Sequence, residues 1–169
     1  MLNDESFRVG DMVVYPSHGV GEIIGEEIQI IADQELKVFI ISLLKEKMLL
    51  RVPVKRAVLG GLRPLCSNET ISGIFNTLQK KSRATKGMWS KRAQEYEVKI
   101  NSGDVNLLAE VVRDLYKNSD DPGRSYSERV IYESALNRLA GEFAVVKGIE
   151  LENAKDQLLT SLEEREYAA

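Results

Sequence analysis

The spacing of hydrophobic residues in this chain changes once, and it changes at a proline. Before Pro64 the apolar residues come in short runs rich in Val and Ile. Met12 to Tyr15 is closed by Pro16, Val20 to Ile24 and Ile28 to Ile31 flank Gly25, Val38 to Leu44 follows, and Met48 to Val52 ends at Pro53. Runs this short, bounded by Gly, Pro and Asp, read as strands. Ala32-Asp33-Gln34 and Lys45-Glu46-Lys47 read as the turns between them. Several short strands at this spacing predict a small, strongly bent sheet or barrel. A region of about sixty residues makes only a thin core.

Beyond Pro64 and the Leu65-Cys66-Ser67 stretch the period is helical. Ile71, Ile74, Phe75 and Leu78 fall on one helical face. Trp89 opens a second helix, which runs to about Ser102 and stops at Gly103. Asp104 can cap a third, with Leu108, Val111, Val112 and Leu115 inward. Ser125 and Glu128 form a capping box for a fourth, with Ile131, Ala135, Leu139 and Phe143 inward and Gly148 as its end. Leu151, Ala154, Leu158 and Leu162 define a fifth. The expected architecture is α+β, with a β module over residues 1–64 and a bundle of about five helices over residues 65–169.

Charge is distributed as unevenly as hydrophobicity. Residues 1–64 carry 8 basic and 9 acidic side chains, and residues 95–169 carry 9 basic and 16 acidic. Between them, residues 65–94 carry 6 basic and 1 acidic, a net of +5 in a chain whose total is −3. The sole tryptophan, Trp89, lies inside this island, among Lys80, Lys81, Arg83, Lys86, Lys91 and Arg92. A flat apolar side chain surrounded by cations suits contact with a phosphate backbone and a base step. Taken separately, a lone Trp suits a core and a lysine run suits a solvated face. An acidic body with one basic site predicts weak, largely sequence-independent nucleic-acid binding that depends on a partner.

Residues for catalysis are scarce. His18 is the only histidine and Cys66 the only cysteine, and they are far apart in sequence, so neither a metal site nor an intrachain disulfide is expected. Gly19, Gly21 and Gly25 lie between strands with the wrong spacing for a phosphate loop. An enzyme is not expected, and no cofactor is called for. No apolar run approaches the ~20 residues of a membrane span. The polar, acidic start of the chain is unlike a signal peptide, so the expected location is the cytoplasm.

Two stretches resemble a known family. Phe7-Arg8-Val9-Gly10-Asp11-Met12-Val13-Val14-Tyr15-Pro16, followed by His18-Gly19-Val20-Gly21, resembles the opening of the CarD/CdnL bacterial transcription regulators. The same opening occurs in the polymerase-interacting module of transcription-repair coupling factors. Met88-Trp89-Ser90-Lys91-Arg92, Ser102-Gly103-Asp104-Val105 and Ala109-Glu110-Val111-Val112-Arg113-Asp114-Leu115-Tyr116 resemble the regulators' helical domain. The resemblance implies a Tudor-like N-terminal barrel docked on the RNA polymerase β subunit through Arg51, Val52 and Pro53. It also implies a helical domain at the upstream edge of the promoter bubble. There Trp89 would wedge into the minor groove, and Lys91, Arg92 and Lys86 would hold the backbone. Some relatives carry a basic residue on the preceding hairpin where this chain has Gln29. The protein is expected to act as a monomer. The alternative reading is an adaptor that binds polymerase or another protein without touching DNA.

Overall fold

The computed structural model describes residues 7–83, 87–116 and 125–168. The chain divides into two compact units, Met1–Leu65 and Cys66–Ala169.

The first unit is one antiparallel sheet. Its strands are β1 (Met12–Tyr15), β2 (Gly19–Ile31), β3 (Gln34–Leu43), β4 (Met48–Pro53) and β5 (Arg63–Pro64), with a short helix α1 (Val54–Leu59) between the last two. The spatial order is β4-β3-β2-β1-β5. Val13, Ile23, Phe39, Ile41, Leu43 and Val52 form the core face, covered by Val54, Ala57 and Leu62.

The expected barrel is not closed. β4 and β5 stand at opposite ends of the sheet, and each pairs on one side among the described residues. Two features account for this. β5 is only two residues long, and the chain between β4 and β5 coils into α1, which packs back on β3 and β4. Val54 and Ala57 thus fill space that a continuing strand would leave open. The sequence reading missed α1 because six residues are too few to display a helical period.

The two runs on either side of Gly25 are one strand. Ile23 pairs with Ile41 and Gly25 with Ile40, so Ile24 is the extra residue of a β-bulge. The hairpin joining β2 to β3 has a two-residue loop, Ala32-Asp33, with φ of 51° and 62°. Both angles are positive, as a twist-compatible type I′ turn demands.

The second unit contains α2 (Asn68–Gln79), α3 (Trp89–Ile100), α4 (Val105–Leu115), α5 (Tyr126–Lys147) and α6 (Leu151–Ala168). The caps are those the residue types suggest. Ser67 accepts from the Thr70 amide, Asp104 from Asn106 and Leu107, and Ser125 from Glu128. Gly148 ends α5 with φ 65°, in the left-handed region. Leu78, Val111, Val112, Leu115, Leu139, Leu158 and Leu162 form a core with no exposed surface. Leu151 departs from expectation: it opens α6 and stays exposed, while Ala154, Leu158 and Leu162 carry the packing.

Glycines in the two units give opposite predictions. A Cβ on Gly21 would lie 2.7 Å from Ile41 Cγ2 and 3.0 Å from the Ser42 carbonyl oxygen. Gly21→Ala should therefore cost about 1–3 kcal/mol through overpacking. A Cβ on Gly73, inside α2, meets nothing within 4 Å. Gly73→Ala should stabilise by about 0.5–1 kcal/mol through the lost freedom of the unfolded chain. Thermal melting of the two variants should shift in opposite directions.

Candidate functional site

The helical unit places Trp89 at the first position of α3, after Met88, whose side chain makes no capping bond. Gly87 precedes them at φ 140°, a conformation that suits a residue without a Cβ. The indole is half-buried against the core. Its Nε1–H donates to Ser127 Oγ at 3.1 Å, across from the first turn of α5. Met88 beside it is 76% exposed.

Trp89, Arg92 and Tyr96 are spaced i, i+3 and i+7, so they share one face of α3. The Arg92 guanidinium carbon lies 5.4 Å from the indole centroid and 6.0 Å from the Tyr96 ring. Tyr96 is buried, and its ring centroid is 6.3 Å from that of Trp89. Arg92 Nη2 reaches Tyr96 Oη at 3.5 Å, and Arg92 Nε is buried without a hydrogen-bond partner among the described residues. The three groups stand at the corners of a nearly equilateral triangle, so the guanidinium lies against both rings, which holds the indole and leaves the charge beside it.

Lys91 points outward and is exposed. No acidic residue stands in the first turn of α3, whereas α2, α5 and α6 each carry a glutamate there. The positive end of the α3 dipole is therefore not neutralised by its own turn. Lys86 lies outside the described residues.

In the sheet unit, β4 is an edge strand. Leu49, Arg51 and Pro53 alternate onto its outward face, while Leu50 and Val52 turn inward. Val52 is buried at 5% exposure, so of the three expected contact residues it can offer only its backbone. Arg51 is exposed and stands opposite Ile40 of β3. Its Nε lies 3.7 Å from Glu27 Oε2, a solvated pair whose side chains are both about half exposed. Ile24 and Leu49 add exposed apolar surface to the sheet unit. Gln29 is exposed on β2, in register with Leu36.

His18 stacks on Tyr15, with ring centroids 5.6 Å apart, and its amide closes a turn to the Tyr15 carbonyl. No group of His, Cys, Asp and Glu among the described residues could hold a metal ion. No described helix is long and apolar enough to cross a membrane.

Three neighbours of the candidate residues escaped the sequence reading. Ser127 and Tyr96 hold the indole, and Glu27 pairs with Arg51. Tyr96 could have been found from its i+7 spacing to Trp89. Ser127 and Glu27 come from other elements, and no local signal marks them.

Residues 7–66 match the family model described as the CarD-like/TRCF RID domain, and residues 73–159 match that of the CarD C-terminal domain. A Bacillus subtilis (strain 168) protein named "Putative transcription factor YdeB" is 27% identical over 143 residues, which cover 85% of this chain and 94% of that protein. The chain belongs to the CarD family of transcription factors, with a CarD-like/TRCF RID domain followed by a CarD C-terminal domain.

Proposed function

We propose that this protein docks on the RNA polymerase β subunit through the outward face and free edge of β4. From there it stabilises the open promoter complex with Trp89. The family of the N-terminal domain supports the polymerase contact. So does an edge strand that presents Arg51 and Pro53 beside exposed apolar side chains and unpaired backbone groups. The observation that carries the DNA reading is the held indole. Trp89 is ordered by Ser127, Arg92 and Tyr96, yet stays partly exposed inside the most basic stretch of an acidic protein.

The mechanism is differential binding. Promoter melting is reversible, and a protein shifts it only by binding one state better than the other. An apolar plate at the upstream bubble edge meets a distorted base step in the open state and an intact stack in the closed state. Partial unstacking costs a few kcal/mol, and an inserted side chain offsets part of it. A preference of about 1.4 kcal/mol changes the open-to-closed ratio tenfold. Lys91, Lys86 and the outer side of Arg92 hold phosphates without reading bases. The acidic remainder weakens binding to free DNA, so polymerase docking supplies the effective concentration.

Two experiments test this reading. Trp89→Ala should retain polymerase binding and lose most of the gain in open-complex lifetime, measured with purified polymerase. Ser127→Ala removes one hydrogen bond worth about 0.5–1.5 kcal/mol. It should alter the intrinsic fluorescence of the sole tryptophan and lose part of the same gain. An unchanged lifetime with Trp89→Ala would favour the adaptor that never meets DNA.

For the sheet unit, Arg51→Glu should abolish polymerase binding in a pull-down while leaving thermal melting within about a degree, since an exposed ion pair contributes roughly 0–1 kcal/mol. Glu27→Gln should tighten polymerase binding, because it releases Arg51 from its internal partner. Unaltered binding by Arg51→Glu would move the docking surface elsewhere.

A further inference from the structure

The stretch that follows α2 is fastened to the bundle through its backbone. The Arg83 amide donates to Asp114 Oδ1 at 2.9 Å, and Ser82 Oγ donates to the Asp114 carbonyl at 3.4 Å. Arg165 of α6 donates from Nη1 to the carbonyls of both Lys80 and Arg113, each at 3.3 Å. Asp114 is itself held. Arg113 Nε donates to its Oδ1 at 2.8 Å and Nη2 to its Oδ2 at 3.4 Å, with both side chains about 95% buried.

A buried ion pair is a poor stabiliser. Its desolvation cost roughly cancels its attraction, and apolar residues of the same volume often do as well. What an apolar pair cannot do is accept the Arg83 N–H. The fastening leaves the neighbouring charges free. Lys81 and Arg83 are exposed, and among the described residues their side chains form no ion pair. A fixed backbone bearing unpaired, solvated cations suits phosphate binding, because little chain entropy remains to be lost.

This stretch lies at the same end of the bundle as the indole. Tyr116, two residues after Asp114, packs on Tyr132 of α5 with ring centroids 6.4 Å apart. Tyr132 is five residues along α5 from Ser127, about 7.5 Å at helical rise. Ser127 in turn holds Trp89. Arg83 also precedes Trp89 by six residues, which caps their separation at about 20 Å.

We propose that Asp114, neutralised by Arg113, is a positioning residue for a second phosphate-contacting site formed by Lys81 and Arg83, on the same DNA that Trp89 engages. The inference rests on the DNA-contacting reading of Trp89 and extends it to a strand segment beyond the wedge. It gives the Arg113-Asp114 pair a task in recognition that burial alone does not.

The test uses the full chain with polymerase and promoter DNA, and reads open-complex lifetime and the log-log salt slope of DNA binding. Lys81→Ala with Arg83→Ala should lower the magnitude of that slope by about 1.8, which is 0.9 for each phosphate contact. Arg113→Met with Asp114→Leu keeps both cations and replaces the buried pair by apolar volume. It should speed hydrogen exchange at the Arg83 amide and weaken DNA binding about tenfold. Arg83→Pro removes the same amide without touching the pair. If the double variant folds poorly, Arg83→Pro should weaken binding several-fold more than Arg83→Ala does. Arg83→Pro equal to Arg83→Ala, or faster exchange with unchanged DNA binding, would reduce the clamp to a structural role and overturn the inference. Trp89→Ala measured alongside separates the two failures. Loss of lifetime there with no effect of the clamp or cation variants overturns this inference alone. No effect of Trp89→Ala overturns the wedge reading, and this inference with it.

Discussion

Helix α4 is buried around its whole circumference from Val111 to Leu115, and the end of the helical unit that carries Trp89 hangs from it. A helix hidden on every side is normally apolar throughout. This one carries Arg113 and Asp114 in the middle of its buried run. Two charges in that position must satisfy each other and their neighbours, or the bundle fails. They do so through an ion pair of 2.8 Å, and the Asp114 carboxylate has capacity left for the backbone of Arg83. The same helix buries Tyr96 and Ile100 of α3 through the shared core. The frame that supports the indole and the frame that fastens the basic stretch are therefore one piece of packing.

Charge placement follows from the same geometry. Burial absorbs Arg113, and ring stacking engages Arg92, so neither behaves as a freely moving surface cation. Lys91 remains solvated, and Lys99 is engaged by Glu110 at 3.5 Å. Counting basic residues along the sequence overstates how many can move toward a phosphate. It understates how much the fixed ones order the site. Arg92 illustrates both points: it costs the surface one mobile cation and supplies the indole with a rigid polar neighbour.

The periodicities were legible because both units fold on local pattern. Every expected helix of the second unit exists, and its caps lie where Ser67, Asp104, Ser125 and Gly148 allow. The first unit was less legible because its shape depends on contacts distant in sequence. Barrel closure turns on whether β4 and β5 meet, and α1 prevents that with two buried residues that no period announces. Gly25 was visible, yet whether it divides two strands or marks a bulge depends on the register of β3. In the expected docking triplet, alternation along β4 turns Val52 into the core while Arg51 and Pro53 face outward. Trp89 was conspicuous for its composition, but Ser127 comes from a different helix and carries no mark of its role.

The end of the sheet unit and the start of the helical unit are each fastened within their own unit. Pro64 pairs with Val13 in β5, and the Cys66 amide donates to the buried Glu142 carboxylate at 2.8 Å. Leu65 alone stands between these two anchored residues. On the proposed reading a weak wedge suffices, because docking on polymerase restricts the volume that the indole must search. On that reading the fastening of Cys66 to α5 and of Arg83 to α4 serves one end: it removes chain freedom within the helical unit before DNA arrives, so that the modest binding energy of one indole and a few cations is not spent on ordering the protein.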